Sequence, residues 1–241
     1  MEKVIEIKNL TKTFKNGRGI MNINLDIERG DVFGFLGPNG AGKTTAMKIM
    51  TGLLKADSGE VEILGYNVSE EYEKVMEKVT CIIETAESYK FLTAYENLKQ
   101  FARYYKDVDD KRIDEVLELV GLLKYKKEKP GKFSLGMKQR LGIAAAILSR
   151  PQVVILDEPL NGLDVEGMIQ VRNIIKKLSR EEKTTFFISS HLIHDVELTC
   201  NKIGVLYDGK MLNVDYTENI VNNYASLENY FVSEVQRYGK L

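Results

Sequence analysis

Apolar residues along the chain fall into two kinds of run. Positions 4–7, 23–27 and 61–64 alternate apolar with polar residues or are rich in β-branched ones, and clusters of Gly, Asn and Asp separate them. That pattern predicts strands with one face on a core and the other in water, and hence an antiparallel layer. The stretches 31–36 (DVFGFL), 79–83 (VTCII), 153–156 (VVIL) and 184–189 (TTFFIS) are apolar or β-branched almost without interruption. Strands buried on both faces of a parallel sheet read this way. Helical patterns separate them, so the expected class is α/β with right-handed crossovers.

The middle of the chain, about 85–150, reads as mainly helical. Thr93 with Glu96 three positions on forms a capping-box pattern that opens a helix running to about residue 105. Ile113, Val116, Leu117 and Val120 share one helical face, and Gly121 stands where a C-terminal cap is expected. The block is therefore expected as a helical insertion between strands. The segment 124–129 (KYKKEK) reads as a solvated loop. Residues 216–241 mix helix-compatible and polar residues without a chemical motif and suggest no function.

A chain of 241 residues with 44% hydrophobic content can bury a substantial core. With 34 Lys and Arg against 35 Asp and Glu, no overall basic field exists to attract nucleic acid or anionic lipid, so anion binding must be local. Cys81 and Cys200 are far apart and outside any CxxC pair, which predicts buried, reduced thiols and a cytoplasmic setting. The opening ten residues alternate charged and apolar and lack the continuous core of a signal peptide. The longest apolar run, 143–148 (IAAAIL), falls far short of the roughly 20 residues of a membrane-spanning helix. A membrane role therefore requires a partner.

The segment GPNGAGKT fits G-x-x-x-x-G-K-[ST] and lies between an expected strand and an expected helix, the context that motif needs. Its residues Gly37, Pro38, Asn39, Gly40, Ala41 and Gly42 let the backbone curl so that N–H groups point at phosphate oxygens. Lys43 is expected on the β and γ phosphates, Thr44 on Mg²⁺ and Thr45 on the α phosphate. The competing reading is a glycine-rich turn matching by chance. Asp157 and Glu158 end the run VVILDE, at the carboxyl end of a strand where α/β sheets bind ligands. Asp157 is expected to hold Mg²⁺ and Glu158 to act as general base on the attacking water. A solvated pair of strand-end carboxylates is the plain alternative.

In these residues the chain resembles the ATP-binding subunit of ABC transporters, over about residues 4–216. The resemblance rests on GPNGAGKTT (37–45), Glu84 at a strand end, FSLGMKQR (133–140), VILDEP (154–159) with LNGLD (160–164), and SSH (189–191), in the family's order. It implies a P-loop NTPase core with a mainly parallel sheet, an antiparallel β layer and an inserted helical subdomain. The implied division of the single domain is a nucleotide-binding core (1–84 and 151–215), a helical subdomain carrying the signature (85–150) and a C-terminal tail (216–241).

Family architecture also implies a head-to-tail pair of such subunits, by default a homodimer, sandwiching two ATP molecules. Ser134 and Gly136, small residues opening an expected helix, would then face a γ-phosphate across the interface. Leu135 and Met137 depart from the usual Leu-Ser-Gly-Gly-Gln. Asp164 resembles the interface aspartate, although it could equally cap the helix that follows. His191 resembles the histidine that senses the γ-phosphate; an H-x-x-H zinc pair with His194 lacks supporting ligands. Phe14 aligns with the adenine-stacking aromatic, or is a hydrophobe beside a turn. Glu84 stands where most members carry glutamine and would ligate Mg²⁺.

Tyr89, Phe91, Tyr95, Phe101, Tyr104 and Tyr105 form a dense aromatic segment where the family receives a helix of its membrane subunit, with core packing as the equal alternative. The implied cofactors are ATP and Mg²⁺. The implied partners are a second ATPase subunit and a membrane-spanning permease, with no nucleic acid. The chain would sit at the cytoplasmic face of the membrane, peripherally. The motifs look most like the subgroup for bacitracin resistance and lantibiotic immunity, which implies export. The rival reading is a soluble ABC-type ATPase acting on ribosomes or DNA, usually built from two cassettes or carrying a long coiled coil. A GTP switch is weaker, since NKIG (201–204) has Gly204 where guanine recognition would want aspartate.

Overall fold

A computed structural model describes residues 2–84 and 87–238. The expected subdomain boundary at residue 85 and the last tail positions, 239–241, lie outside the described residues. The strands are β1 (Lys3–Thr13), β2 (Gly19–Glu28), β3 (Val32–Leu36), β4 (Ser58–Ile63), β5 (Tyr66–Asn67), β6 (Val79–Ile82), β7 (Val153–Asp157), β8 (Thr185–Ser190), β9 (Lys202–Tyr207) and β10 (Lys210–Tyr216). The helices are α1 (Lys43–Met50), α2 (Tyr72–Met76), α3 (Ala94–Ala102), α4 (Asp110–Leu119), α5 (Leu135–Ile147), α6 (Val165–Glu181), α7 (Ile193–Thr199), α8 (Thr217–Tyr224) and α9 (Leu227–Tyr238).

Two sheets form, in the orders β2-β1-β4-β5 and β10-β9-β3-β8-β7-β6. The first is antiparallel and the second parallel except for β10 against β9. The period of two along each parallel strand explains the continuous apolar runs. Val154 and Leu156 of β7, Phe186 and Ile188 of β8, and Val32 and Leu36 of β3 join the core beneath the helices. Val153 and Ile155, Phe187, and Phe33 and Phe35 join a second core between the two sheets. There the Phe187 ring lies 5.2 Å from both Phe33 and Phe35. Both faces of the sheet are thus dry, as the α/β expectation requires.

Between β6 and β7 the chain is helical. Thr93 caps α3 with the complete reciprocal box: its Oγ1 accepts from Glu96 N and Glu96 Oε2 accepts from Thr93 N. The helix ends at Ala102, earlier than the expected 105, because Tyr104 and Tyr105 donate to carbonyls three residues back and tighten the last turn. α4 closes as a Schellman motif: Gly121, at φ +69°, donates to Glu118, and Leu122 donates to Leu117. Segment 124–129 is less free than a solvated loop, since the Lys126 and Glu128 carbonyls accept from Tyr95 and Ala94.

Cys200 is buried as expected and burial pushes its thiol pKa up, whereas Cys81 is only half-buried because β6 is an edge strand. Residues 217–238 fold as α8 and α9, burying Ile220, Leu227 and Tyr230 in the helix-side core. No helix among the described residues is long and apolar enough to cross a membrane.

Candidate functional site

A cleft of ≈ 440 Å³ opens at the carboxyl ends of β3 and β7, lined by Phe14, Pro38, Asn39, Gly40, Gly42, Lys43, Thr44, Thr45, Glu84, Asp157 and Glu158 together with Asn16, Arg18, Gly19 and Asn161. The chain leaves β3 directly into the glycine-rich loop and then into α1. Gly42 takes φ +110° there, and a Cβ on it would lie 2.5 Å from Ile20 Cγ2, so only glycine fits. α1 has no side-chain cap and no acidic residue in its first turn, leaving its first N–H groups and positive dipole end toward the cleft. Lys43, 6% exposed, is folded back so that Nζ donates to the carbonyls of Gly37 (2.7 Å) and Pro38 (3.3 Å).

The two strand-end carboxylates have separate environments. Asp157 is buried and accepts from Thr44 Oγ1 at 3.0 Å and from the Ser189 hydroxyl of neighbouring β8. Glu158 leaves the strand at φ +49°, its N–H held by the Ser189 hydroxyl at 3.0 Å. Its Oε2 meets His191 Nδ1 at 2.9 Å and its Oε1 lies 3.4 Å from Lys43 Nζ. One carboxylate is thus locked against a hydroxyl next to α1, and the other is aimed by a histidine and opposed by a lysine. Hydroxyl and carboxylate oxygens suit a hard divalent cation such as Mg²⁺, which takes few protein ligands and keeps waters or phosphate oxygens for the rest.

Glu84 reaches the cleft mouth from the end of β6 at φ +71°. It is 64% exposed and bonded to Lys48 Nζ at 2.7 Å, and that hydrogen bond holds its carboxyl below the usual range. Phe14, 41% exposed, sits in the β1–β2 turn closed by Phe14 N donating to Arg18 O at 2.8 Å. Asn16, Arg18, Gly19, Asn161, Ser189 and Lys48 were not singled out as site residues from sequence. Local signals existed for Arg18, which the Asn16-Gly17 turn places back beside Phe14, and for Asn161 and Ser189, which lie within the LNGLD and SSH segments.

Ser134, Gly136 and Asp164 do not line this cleft. Ser134 is the N-cap of α5 rather than part of its first turn, its Oγ accepting from Met137 N at 3.2 Å. Asp164 caps α6, accepting from Gly167 N at 3.0 Å. The two caps are neighbours through their flanking residues: a Cβ on Gly136 would meet Leu163 at 3.7 Å, and one on Gly162 would meet Leu135 at 2.9 Å. Of the aromatic segment, Tyr89 and Phe91 are exposed with ring centroids 5.7 Å apart, and Phe101 and Tyr104 are exposed as well. Tyr95 packs partly against the core.

The family model described as "ABC transporter" matches residues 20–161. The chain is 46% identical to the uncharacterized ABC transporter ATP-binding protein YhcH of Bacillus subtilis (strain 168), over 92% of this chain and 74% of that protein. It is 46% identical to the bacitracin transport ATP-binding protein BcrA of Enterococcus faecalis, over 88% of this chain and 69% of that one. It is 40% identical to the lantibiotic transport ATP-binding protein SrtF of Streptococcus pyogenes, over 90% and 94%. Among solved structures, an ATP-binding subunit of an ABC transporter superposes with TM-score 0.85 at 26% identity, covering 96% of this chain and 99% of the other. A dimeric ATP-binding cassette in a post-hydrolysis state, bound to ADP and Pi, gives TM-score 0.78 at 27% identity, over 88% and 98%. The α/β fold, the phosphate loop after β3 and the paired carboxylates after β7 agree with these likenesses: the chain belongs to the ABC transporter family, as one of its ATP-binding, ATP-hydrolysing subunits.

Proposed function

We propose that this chain powers an exporter of a peptide antibiotic, working as a pair of identical copies docked on a membrane-spanning permease at the cytoplasmic face. The likeness to proteins named for bacitracin and lantibiotic transport supports the cargo class. In this reading Phe14 stacks on adenine, and the loop 37–42 with the first turn of α1 takes the phosphates. Lys43 exchanges the Gly37 and Pro38 carbonyls for the β and γ phosphates, and Thr45 reaches the α phosphate. When bound, Mg²⁺ is held by Thr44 and Asp157, joined by Glu84, and neutralises charge on the phosphate oxygens.

Glu158 accepts a proton from the attacking water, and His191 Nδ1 fixes the carboxylate that receives it. Ser134 and Gly136 of one copy, with Asp164 beside them, face the γ-phosphate held by the other. The core 1–84 and 151–215 then carries the nucleotide, while the helical subdomain 85–150 carries the signature and the exposed Tyr89 and Phe91 that meet the permease.

The observation that carries the paired reading is Gly136. It is not at positive φ, and no atom of the described residues crowds it, so nothing among the described residues accounts for a poor helix former there. To test the permease assignment, a tagged Glu158→Gln chain is extracted gently from its native membranes with ATP, and the co-purifying proteins are identified. A polytopic membrane protein is expected. Ribosomes, DNA or soluble factors alone would keep the ATPase chemistry and overturn the transport assignment.

A further inference from the structure

The cleft that would receive a triphosphate is lined by three carboxylates, and each has a different counterpart. Asp157 is held by two hydroxyls, and Glu158 is shared between His191 and Lys43. Glu84 faces the same space, and its partner in the structure is Lys48 at 2.7 Å. Lys48 does not itself line the cleft. It lies five positions after Lys43 on α1, about 140° further round the helix, so the two ammonium groups point in different directions from one rigid element. The first is buried under the phosphate loop and the second is 37% exposed at the side chain, turned to the end of β6.

We propose that Lys48 is a positioning residue: its 2.7 Å hydrogen bond holds the Glu84 carboxylate to α1, so that a carboxylate can stand at the mouth of a triphosphate site without swinging onto the ligand. The inference rests on the ATP-site reading above and adds to it a through-space pair that no contiguous motif contains. An unpaired carboxylate at that mouth would oppose a ligand of several negative charges. Such opposition is strongest at low ionic strength and where no divalent cation accompanies the nucleotide. The same ion pair ties the end of β6, from which the chain departs toward the helical block, to the helix that holds the phosphates.

The test is equilibrium binding of ATP, by calorimetry, to the wild-type chain, Lys48→Gln, Glu84→Gln and the double variant, in EDTA and in Mg²⁺, at low and high salt. Lys48→Gln is expected to raise the ATP Kd by about 3- to 10-fold in EDTA at low salt, and less at high salt. In the Glu84→Gln background the same change should move Kd less than about twofold, because the carboxylate that Lys48 restrains is gone. Lys48→Arg should bind as the wild type does. An equal penalty in both backgrounds would show Lys48 acting on the nucleotide directly and would overturn the proposal, as would no penalty in either. Failure of the wild-type chain to bind ATP at all would remove the site reading itself, an outcome distinct from normal binding with additive variants. Both side chains are exposed enough that the variants should fold, and matching thermal melts check that they do.

Discussion

At Gly136 an added methyl would meet Leu163 Cδ2 at 3.7 Å and Ser134 Oγ at 4.0 Å, which are ordinary contact distances. Alanine there should therefore stabilise the isolated chain by up to about 1 kcal/mol through helix propensity, or roughly 2–4 °C for a domain of this size. In the proposed pair the same substitution should lower ATP-driven pairing and ATPase activity, because the missing side chain would be what lets a second copy's phosphate approach the α5 N-terminus. Thermal melts and steady-state hydrolysis on one preparation decide it. A Gly136→Ala chain that melts lower, or that hydrolyses normally, assigns the glycine to its own fold. Ser134 is legible both ways at this scale: it caps α5 whatever else it does. Lys43, Thr44, Asp157 and Glu158, which line the cleft, could be picked out directly because they stand in contiguous segments. The pairings of Ser189 and Lys48 could not, since each acts on a partner 32 or 36 positions away, on an element that only the fold brings alongside.

The elements themselves were legible where burial imposes a period. The four parallel strands read from the sequence begin and end within a residue or two of their observed limits, and the α3 capping box and the α4 glycine cap are present as expected. β9 and β10 were not anticipated: Gly204 interrupts the short apolar run of β9, and β10, the antiparallel edge of its sheet, has only exposed and half-buried residues. α8 and α9 escaped for a related reason: few of their residues are buried, and those few join a core assembled from distant segments. An equally invisible contact ties α4 to α5. Arg112, 7% exposed, donates through Nε to Leu148 O at 3.1 Å and through Nη2 to Ile147 O at 2.8 Å. These are carbonyls of the last turn of α5, which lack partners inside the helix. Arg112→Met keeps the apolar stem but leaves Leu148 O unpaired and Ile147 O with only the Arg150 N–H at 3.2 Å, and should cost about 1–3 kcal/mol in denaturant unfolding. Lysine, with one compact charged head, should recover only part of it. A Met variant as stable as the wild type would mean that water reaches those carbonyls.

For the whole molecule, the surface around the α5 N-terminus matters as much as the cleft. Leu135, Val165 and Ile169 are exposed apolar side chains there, beside the Ser134 and Asp164 caps, although the interior offers ample apolar partners. In the proposed pair, an ATP molecule held by one copy and contacted by the caps of another would bind the paired state more tightly than the single one, and by linkage would drive pairing. Hydrolysis would then remove the bridging phosphate and with it that difference in affinity. Glu158→Gln keeps the side chain's size while removing its capacity to take a proton, and should slow hydrolysis by about 10²–10⁴-fold with ATP binding retained. In light scattering after size exclusion, this variant should double in mass on addition of ATP and not of ADP. Adding Gly136→Ala to it should return the single-chain mass while ATP stays bound. A Glu158→Gln chain that binds ATP and remains single at micromolar concentration would place the second half of the site elsewhere, on the permease or on a different ATPase chain.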